Sequence, residues 1–202
     1  MTTPAATADL PVIIIAAGGE GRRLGGGKPE RLLGGRSLLA HAIARAAPQS
    51  DCLAIAVRDP AQVATGGLPL LSDAAPGLGP ISALASAFRL AAQQGRAHAL
   101  LIGCDQPFLP LDLAATLAAA IGDERVAMPV REGKFQPLAA LWQVDEAALS
   151  DYIAGGGRSL WRFAAQRGVL HVAWPVDSAA PDPFANINDP ATLAAAEQHF
   201  AT

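Results

Sequence analysis

Residues 12–28 carry the residue types with which proteins wrap backbone around a phosphate. The apolar run VIIIA leads directly into a loop that holds six glycines, two arginines and a lysine. Glycine tolerates positive φ angles and has no Cβ, so successive backbone N–H groups can approach phosphate oxygens closely. A flexible surface loop is the alternative, but ordering six glycines after a buried strand costs much entropy. We therefore predict a phosphate-binding loop, to which Lys28 adds a positive point charge.

The spacing of these glycines excludes two common phosphate-binding motifs. A dinucleotide-binding GxGxxG that starts at Gly19 needs glycine where the chain has Leu24. A Walker A loop that ends at Gly27–Lys28 needs glycine in place of Arg22 and Ser or Thr in place of Pro29. We therefore expect neither a nicotinamide cofactor nor P-loop NTPase chemistry.

Asp105 stands just after a second apolar run, ALLIG at residues 99–103. In an open parallel sheet, ligands bind beyond the carboxyl ends of the strands, where this carboxylate would lie. Mg²⁺ favours one or two carboxylates, with phosphate oxygens and water as its other ligands. Asp105 could instead cap a helix over 111–121, but Asp112 is closer to the start of that helix. We predict that Asp105 binds a divalent cation.

Residues 71–84, LSDAAPGLGPISAL, place polar groups before a predicted helix. Asp73 leaves an apolar run, and the turn Gly79–Pro80 begins the helix, whose exposed N–H groups favour an anion or a polar ligand. Ordinary helix initiation explains the same pattern, so both interpretations stay open for this segment.

Residues 184–193, FANINDPATL, precede and begin the last predicted helix. Asp189 and Pro190 suit its N-cap and N1 positions, which accounts for Asp189. Asn186 and Asn188 alternate with apolar residues, so we expect both amides on one face, where they offer donors and acceptors to a ligand.

Short apolar runs alternate along the chain with longer alanine-rich stretches of helical period. This pattern is typical of the α/β class, with a mostly parallel sheet flanked by helices on both faces. The predicted strands cover residues 12–16, 53–57, 99–103, 126–130, 138–142 and 169–174. The predicted helices cover residues 37–47, 80–94, 111–121, 145–154, 158–167 and 190–200. The length favours a single domain, 1–202, with residues 1–11 as a loose N-terminal lead.

The composition limits the partners. The formal net charge is −3, and no Lys/Arg stripe with interleaved aromatics indicates nucleic acid as a partner. Cys52 and Cys104 lack a CxxC or His-rich context, so we expect buried thiols and no zinc site. The first eleven residues lack the basic segment of a signal peptide, and no apolar stretch reaches the ~18 residues of a membrane span. We therefore expect a cytoplasmic protein with no membrane partner.

Four segments together resemble the molybdenum cofactor guanylyltransferases, a family of nucleotidyltransferases. AAGGEGRRLGGGK resembles the family signature (L/A)AGGxxxRMGGxDK, with Leu24 in place of methionine and one residue fewer before Lys28. DAAPGLGPISA, CDQPFLP and FANINDPATL resemble the motifs DxxPGxGPLAG, CDxPFLP and FxNxNTPEDL. These segments occur in the family's order. The asparagine that the family has after its second strand is absent from LAIAVRD.

The resemblance implies a Rossmann-like nucleotide-diphospho-sugar transferase fold and the transfer of GMP from GTP, with release of pyrophosphate. The implied acceptor is the terminal phosphate of molybdopterin or Mo-molybdopterin, and a molybdoenzyme or its chaperone would receive the product. The implied catalytic residues are Arg23, Lys28 and Asp105, with Mg²⁺ as the cofactor on Asp105. The implied nucleotide-binding residues are Ala16, Ala17, Gly18, Gly19, Lys28, Asp73, Gly79, Pro80 and Asp105. The acceptor-binding candidates are Gln136, Pro137, Arg158, Asn186 and Asn188.

Alternatives remain open at this point. Arg158 follows three glycines and could reach the acceptor's phosphate, although an arginine at a helix start needs no such role. A sibling transferase would use CTP, or would use a sugar or polyol phosphate as its acceptor. A pseudoenzyme would bind nucleotide or pterin without turnover, which the shorter loop and the absent asparagine permit. An unrelated nucleotide-binding α/β domain would not explain four collinear motifs.

Overall fold

The computed structural model describes residues 10–19, 21–58, 63, 66–72 and 77–200, with the backbone alone of Arg22. Residues 1–9 of the predicted N-terminal lead, and Asp73 of the predicted nucleotide site, lie outside the described residues. The strands in the described ranges are β1 (Val12–Ala16), β2 (Leu32–Leu33), β3 (Arg36–Ser37), β4 (Leu53–Val57), β5 (Leu70–Ser72), β6 (His98–Gly103), β7 (Val126–Arg131), β8 (Lys134–Phe135), β9 (Leu141–Gln143) and β10 (Val169–Ala173). The helices there are α1 (Leu38–Ala46), α2 (Pro80–Gln93), α3 (Leu113–Ala120), α4 (Glu146–Ala154), α5 (Leu160–Arg167) and α6 (Pro190–Glu197).

The central sheet is mostly parallel, as the sequence predicts. Its order is β10-β7-β9-β6-β1-β4-β5, and β8 pairs with the end of β7. β1 is parallel to both of its neighbours, β4 and β6. In the observed register, Ile14 lies opposite Ala54 of β4 and Leu101 of β6. β9 is antiparallel to both β6 and β7. A separate antiparallel hairpin consists of β2 and β3.

Side chains along β1 alternate between two cores. Val12 and Ile14 pack with α2, α4 and α5 on one face of the sheet. Ile13 and Ile15 pack with α1 and α3 on the other face. All four are fully buried, because a strand covered on both faces needs apolar residues at every position. The predicted placement of helices on both faces is confirmed.

One predicted strand is wrong in its position. The sequence predicts a strand over 138–142, but Pro137–Ala139 forms a turn of 3-10 helix, and β9 begins only at Leu141. Proline fixes φ and has no N–H to donate to a neighbouring strand, so the chain turns at Pro137 before it joins the sheet. Ala139 N–H donates to Gln136 O across this turn at 3.0 Å.

The other predicted elements are present with small differences at their ends. α6 ends at Glu197 rather than at residue 200, and α3 and α5 each begin two residues later than predicted. Four strands, β2, β3, β5 and β8, were not predicted, because two or three residues carry too few positions for an apolar period. Within the described residues, no helix has the length and apolar character needed to cross a membrane.

A third apolar cluster joins the C-terminal segment to the region after β1. Leu24 and Leu33 pack with Ile187 and with Ala196 of α6. These contacts connect residues that are far apart in sequence. They fix the FANIN segment, residues 184–188, beside the glycine loop.

The start of α6 confirms the predicted cap. Pro190 is its first residue, and Asp189 accepts a hydrogen bond from Thr192 N–H at 2.8 Å. That backbone hydrogen bond and a second one from the Thr192 hydroxyl lower the pKa of Asp189, because both favour the charged carboxylate. The cap therefore stabilises the fold above the pKa of the unfolded chain's carboxyl, and this contribution is lost as the pH falls through the lowered pKa.

Leu84→Ala should destabilise the protein by about 2 to 5 kcal/mol, because Leu84 is fully buried in α2 and its truncation leaves a cavity. Leu111→Ala is the matched control. Leu111 is 55% exposed, so its truncation should change the free energy of unfolding by less than about 0.5 kcal/mol. Urea denaturation followed by circular dichroism measures both, and equal effects of the two substitutions would contradict this description of the core.

Candidate nucleotide site

The carboxyl ends of β1 and β6 lie side by side at one edge of the sheet. Ala16 pairs with Gly103, and Cys104 N–H donates to Ala16 O at 3.1 Å. A cavity of about 250 Å³ opens at this edge. The predicted nucleotide-binding residues that line it are Ala16, Gly18, Gly19, Lys28, Gly79, Pro80 and Asp105. Ala17, the other described member of that set, is buried, and its N–H donates to Ala56 O at 2.8 Å.

Lys28, Asp105 and Asn188 meet beside this cavity. The Lys28 Nζ donates to Asp105 Oδ2 at 2.5 Å and to Asn188 Oδ1 at 2.7 Å. The side chains of Lys28 and Asp105 are only 12% and 13% exposed. A charge withdrawn from water to this extent is costly unless a partner compensates it, so each charge makes the burial of the other tolerable.

Glycines determine where Lys28 lies. Gly27 has left-handed angles, φ 58° and ψ 34°, and directly precedes the 3-10 turn Lys28–Glu30. Gly21 has a φ of +59°, and a Cβ at this position would lie 2.6 Å from the Lys28 Cβ. Leu24 N–H and Gly26 N–H both donate to Gly21 O, at 2.8 and 3.0 Å. The loop therefore folds back on itself and brings Lys28 against Gly21.

Arg31 stabilises the same loop through hydrogen bonds to its backbone carbonyl groups. Its Nη2 donates to Leu24 O and to Gly26 O, the latter at 3.2 Å. This arginine was not predicted as a site residue. Its structural role leaves no local signal in the sequence, because it depends on the path of the loop.

Arg23 lies outside the cavity lining. The side chain is exposed, and its positive charge contributes, after the hydrogen bonds from Thr192, to the lowered pKa of Asp189. The predicted catalytic arginine therefore stands near the start of α6, beside the segment that carries Asn188.

Asp105 is positioned by the end of β6 and by the FANIN segment. A Cβ at Gly103 would lie 2.4 Å from Asp105 Oδ1, so the carboxylate occupies space that only glycine leaves open. Gly103 N–H donates to Gln106 Oε1 at 3.0 Å, and Ile187 N–H donates to Asp105 O at 2.9 Å. Gln106 is 1% exposed. This glutamine was not predicted as a site residue, although a polar residue directly after a site carboxylate was an available signal.

Positive charge enters the cavity from two further elements. Arg58 directly follows β4 and lines the cavity, and it belongs to the segment LAIAVRD, from which the family's asparagine is absent. Arg58 was not predicted as a site residue, although a charged residue directly after a predicted buried strand was a usable signal. The first turn of α2, with Gly79 at φ +70° and then Pro80, also lines the cavity. Because the N-terminus of a helix carries partial positive charge, this wall favours an anion.

The predicted acceptor-binding residues occupy different places. Asn188 contacts Lys28 directly. Gln136 and Pro137 immediately precede Leu138, which lines the same cavity as Lys28. Asn186 does not share the Asn188 contact, since its Nδ2 donates to Phe184 O at 3.1 Å and its side chain lines a separate cavity against α6.

Arg158 lies apart from these residues. It is exposed and lines a cavity of about 420 Å³ at the turn between α4 and α5, together with Tyr152 and Arg162. Of the predicted acceptor residues, Asn188 contacts Lys28, and Gln136 and Pro137 only adjoin Leu138 of the cavity wall in the chain. Asn186 and Arg158 line other cavities.

Cys104 lines the cavity without offering a nucleophile. Burial, and secondly the negative charge of Asp105, raise the pKa of its thiol to about 12. The thiolate is the reactive form of cysteine, and at neutral pH this side chain stays protonated. The expectation of a buried thiol is confirmed for Cys104, whereas Cys52 is half-buried.

Solved structures of nucleotidyltransferases share this fold. The molybdopterin-guanine dinucleotide biosynthesis protein A from Archaeoglobus fulgidus gives a TM-score of 0.74 at 20% identity, covering 93% of this chain and 97% of that one. The 2-C-methyl-D-erythritol 4-phosphate cytidylyltransferase from Thermus thermophilus gives a TM-score of 0.70 at 18% identity, covering 96% of this chain and 100% of that one. The predicted nucleotide-diphospho-sugar transferase fold is confirmed.

The sequence comparisons identify the family. The model of the MobA-like NTP transferase domain matches residues 13–169. A molybdenum cofactor guanylyltransferase from Bradyrhizobium sp. (strain ORS 278) is 38% identical, covering 97% of this chain and 95% of its own length. Another from Acidiphilium cryptum (strain JF-5) is 41% identical, covering 91% of this chain and 92% of its own length. The chain belongs to the MobA-like NTP transferase family, as its four motifs predicted.

Gly103→Ala should lower the rate of nucleotidyl transfer by about 100-fold, because the added methyl group displaces the Asp105 carboxylate and small misplacements of reacting groups are costly. Gly155→Ala is the control. The nearest atom to its Cβ would be Asp151 O at 3.4 Å, and its φ of −73° suits any residue. Pyrophosphate release measures the rate, and circular dichroism checks that both variants fold. A Gly103→Ala enzyme with full activity would contradict the crowding of Asp105.

Proposed function

We propose that this protein transfers GMP from GTP to the terminal phosphate of molybdopterin, or of Mo-molybdopterin, and releases pyrophosphate. The product is the guanine dinucleotide form of the cofactor. The observation that carries the proposal is the Lys28–Asp105 pair beside a cavity lined by the predicted nucleotide-binding residues. Two relatives at 38% and 41% identity, both named molybdenum cofactor guanylyltransferase, support the choice of nucleotide and acceptor.

The triphosphate of the nucleotide would lie between the glycine loop and the first turn of α2. Backbone N–H groups of the loop, the Lys28 ammonium group and the N-terminus of α2 would balance the negative charge of the phosphates. Arg58 adds a further positive charge to the same cavity. Because these groups are already in place, little reorganisation is needed when charge develops during the reaction.

The transfer itself is a direct displacement at phosphorus. An oxygen of the acceptor's phosphate attacks the α-phosphorus in line, and the bond between the α-phosphorus and the bridging oxygen breaks, so that pyrophosphate leaves. Lys28 supplies positive charge as negative charge grows on the oxygens around the α-phosphorus and on the leaving group. Arg23 would add to this charge only if its exposed side chain turned from the start of α6 towards the cavity. No enzyme nucleophile takes part, which agrees with the protonated thiol of Cys104.

The donor set beside the cavity fits Mg²⁺ in the presence of a triphosphate. Within the described ranges, no group of three or more His, Cys, Asp and Glu side chains could hold a metal ion alone. Mg²⁺ in nucleotide enzymes typically takes one or two carboxylates and completes its shell with phosphate oxygens and water, so Asp105 is a sufficient protein ligand. When bound, the ion would neutralise phosphate charge. Lys28, which now neutralises Asp105, would then be free to contact the nucleotide.

The acceptor would approach from the side of Asn188, Gln136 and Pro137. The Asn188 side chain accepts a hydrogen bond from Lys28. Gln136 and Pro137 directly precede Leu138, which lines the cavity. A molybdoenzyme or its chaperone would take up the dinucleotide product. Asn186 and Arg158 line other cavities and have no part in this proposal at their present positions.

Pyrophosphate release tests the function, measured with Mg²⁺ and each of the four NTPs, with and without Mo-molybdopterin. We expect pyrophosphate release that requires the acceptor and that occurs with GTP but not with the other three NTPs. Asp105→Ala should lower kcat by at least about 100-fold, since it removes the carboxylate proposed to organise the charged groups, while Leu111→Ala should keep full activity. Preference for CTP would move the chain to cytidylyl transfer, and tight binding of GTP without turnover would contradict an enzymatic role.

A further inference from the structure

Three exposed aromatic rings form a surface patch near the cavity. Phe135 of β8 is 43% exposed and Trp161 of α5 is 36% exposed, and His171 of β10 is also exposed. The centroids of Phe135 and Trp161 are 4.3 Å apart, and those of Phe135 and His171 are 4.8 Å apart. Trp161 and His171 lie nearly parallel, at 15°. We call these three residues the aromatic patch.

The patch is more than a scatter of surface apolar residues. Its rings come from three separate elements, so the fold must bring them together. Isolated apolar residues on a surface need no explanation, whereas contiguous exposed rings are typical of a surface that meets a ligand or a partner. The large exposed area of Phe135 and Trp161 would be removed from water when a flat apolar group covers them.

The patch lies on the same face of the sheet as the cavity. Phe135 pairs with Val130 of β7, and directly opposite residues of two strands point to one face. Val126 and Met128, four and two residues before Val130 on β7, pack with α2, α4 and α5. The first turn of α2 lines the cavity, so cavity and patch share this face.

The patch is also close to the cavity along the sheet edge. β8 and β9 both pair with β7 on the side away from β10, and the turn between them contains Leu138 of the cavity wall. Phe135 is three residues from Leu138. Because an extended chain spans at most ~3.6 Å per residue, their Cα atoms lie within about 11 Å of each other.

We propose that the aromatic patch is the platform on which the pterin ring of the acceptor stacks. This inference rests on the proposed function, which requires an acceptor with a phosphate at one end and a pterin, whose pyrimidine ring is planar, at the other. With the phosphate at the Lys28–Asp105 cavity, the heterocycle would extend over Pro137 and Gln136 towards the rings. A bicyclic heterocycle stacks on aromatic side chains as nucleobases do.

Gln136 lies in the chain between Phe135 of the aromatic patch and Leu138 of the cavity wall. It is half-buried, and its Nε2 donates a long hydrogen bond, 3.4 Å, to Lys134 O. An amide offers both a donor and an acceptor, which suits the hydrogen-bonding edge of a pterin. Stacking would supply affinity for a flat ring, and this amide would favour a pterin over a plain aromatic ring.

The test measures acceptor binding in Trp161→Ala, with Trp161→Phe as the conservative variant and Leu111→Ala as the control. Loss of one stacking contact should raise the KM for Mo-molybdopterin about tenfold, with the KM for GTP and kcat nearly unchanged. Trp161→Phe should retain most of the affinity. Equilibrium dialysis with a pterin that carries a phosphate monoester requires no turnover. It should rank the Kd values of the variants in the same order as their KM values for the acceptor.

The outcomes separate this proposal from the proposed function. If Trp161→Ala transfers GMP with an unchanged KM for the acceptor, the platform proposal is wrong and the proposed function is supported. Binding of the pterin phosphate that depends on Trp161, in a chain that transfers no GMP, would support the platform and contradict the function. A dimer that dissociates in Trp161→Ala, with pterin binding unchanged, would make the patch an interface between copies and overturn the proposal.

Discussion

The contact of the Lys28 ammonium group with Asp105 and Asn188 organises this site. It joins three segments that are 77 and 160 positions apart in sequence: the glycine loop, the end of β6 and the FANIN segment. Since Lys28 and Asp105 are almost withdrawn from water, separating them would leave uncompensated charges. The pair therefore keeps the loop closed against the sheet edge, and it holds opposite charges where a nucleotide and a cation would need them.

Glycine makes this contact possible at two positions for different reasons. Gly21 has a positive φ and also leaves room for the Lys28 side chain, whereas Gly103 is needed only for space, because the Asp105 carboxylate lies where its Cβ would be. The buried Gln106 side chain accepts a hydrogen bond from Gly103 N–H, and the half-buried Arg31 side chain donates one to Gly26 O, so both fix the surrounding backbone. The site is thus preorganised by the empty space beside two glycines, and not by the charged residues alone.

The sequence predicted the strands and helices that are long enough to show a period of apolar residues. Buried strands such as β1 and helices such as α2 have enough positions for their apolar pattern to be recognised, and the ends of those strands located Lys28 and Asp105. β9 was misplaced because the apolar run 138–142 resembles a strand, whereas the 3-10 turn that begins at Pro137 takes up the first two residues of that run. The sequence did not predict side-chain directions in irregular segments. Asn186 and Asn188 were predicted on one face, but of these two only Asn188 contacts Lys28. Arg58 directly follows the predicted strand 53–57, so the sequence carried a signal for it, but that signal did not show that β4 lies beside β1 at the cavity.

The double-mutant cycle of Lys28→Met and Asp105→Asn tests the central claim most directly. Each single substitution leaves one partly buried polar group without its partner, so the double variant should be less destabilised than the sum of the two single effects. The free energies of unfolding, measured in urea, should give a coupling energy of at least about 1 kcal/mol between the two positions. Additivity within about 0.3 kcal/mol would mean that the two side chains do not hold these segments together, and it would contradict the account.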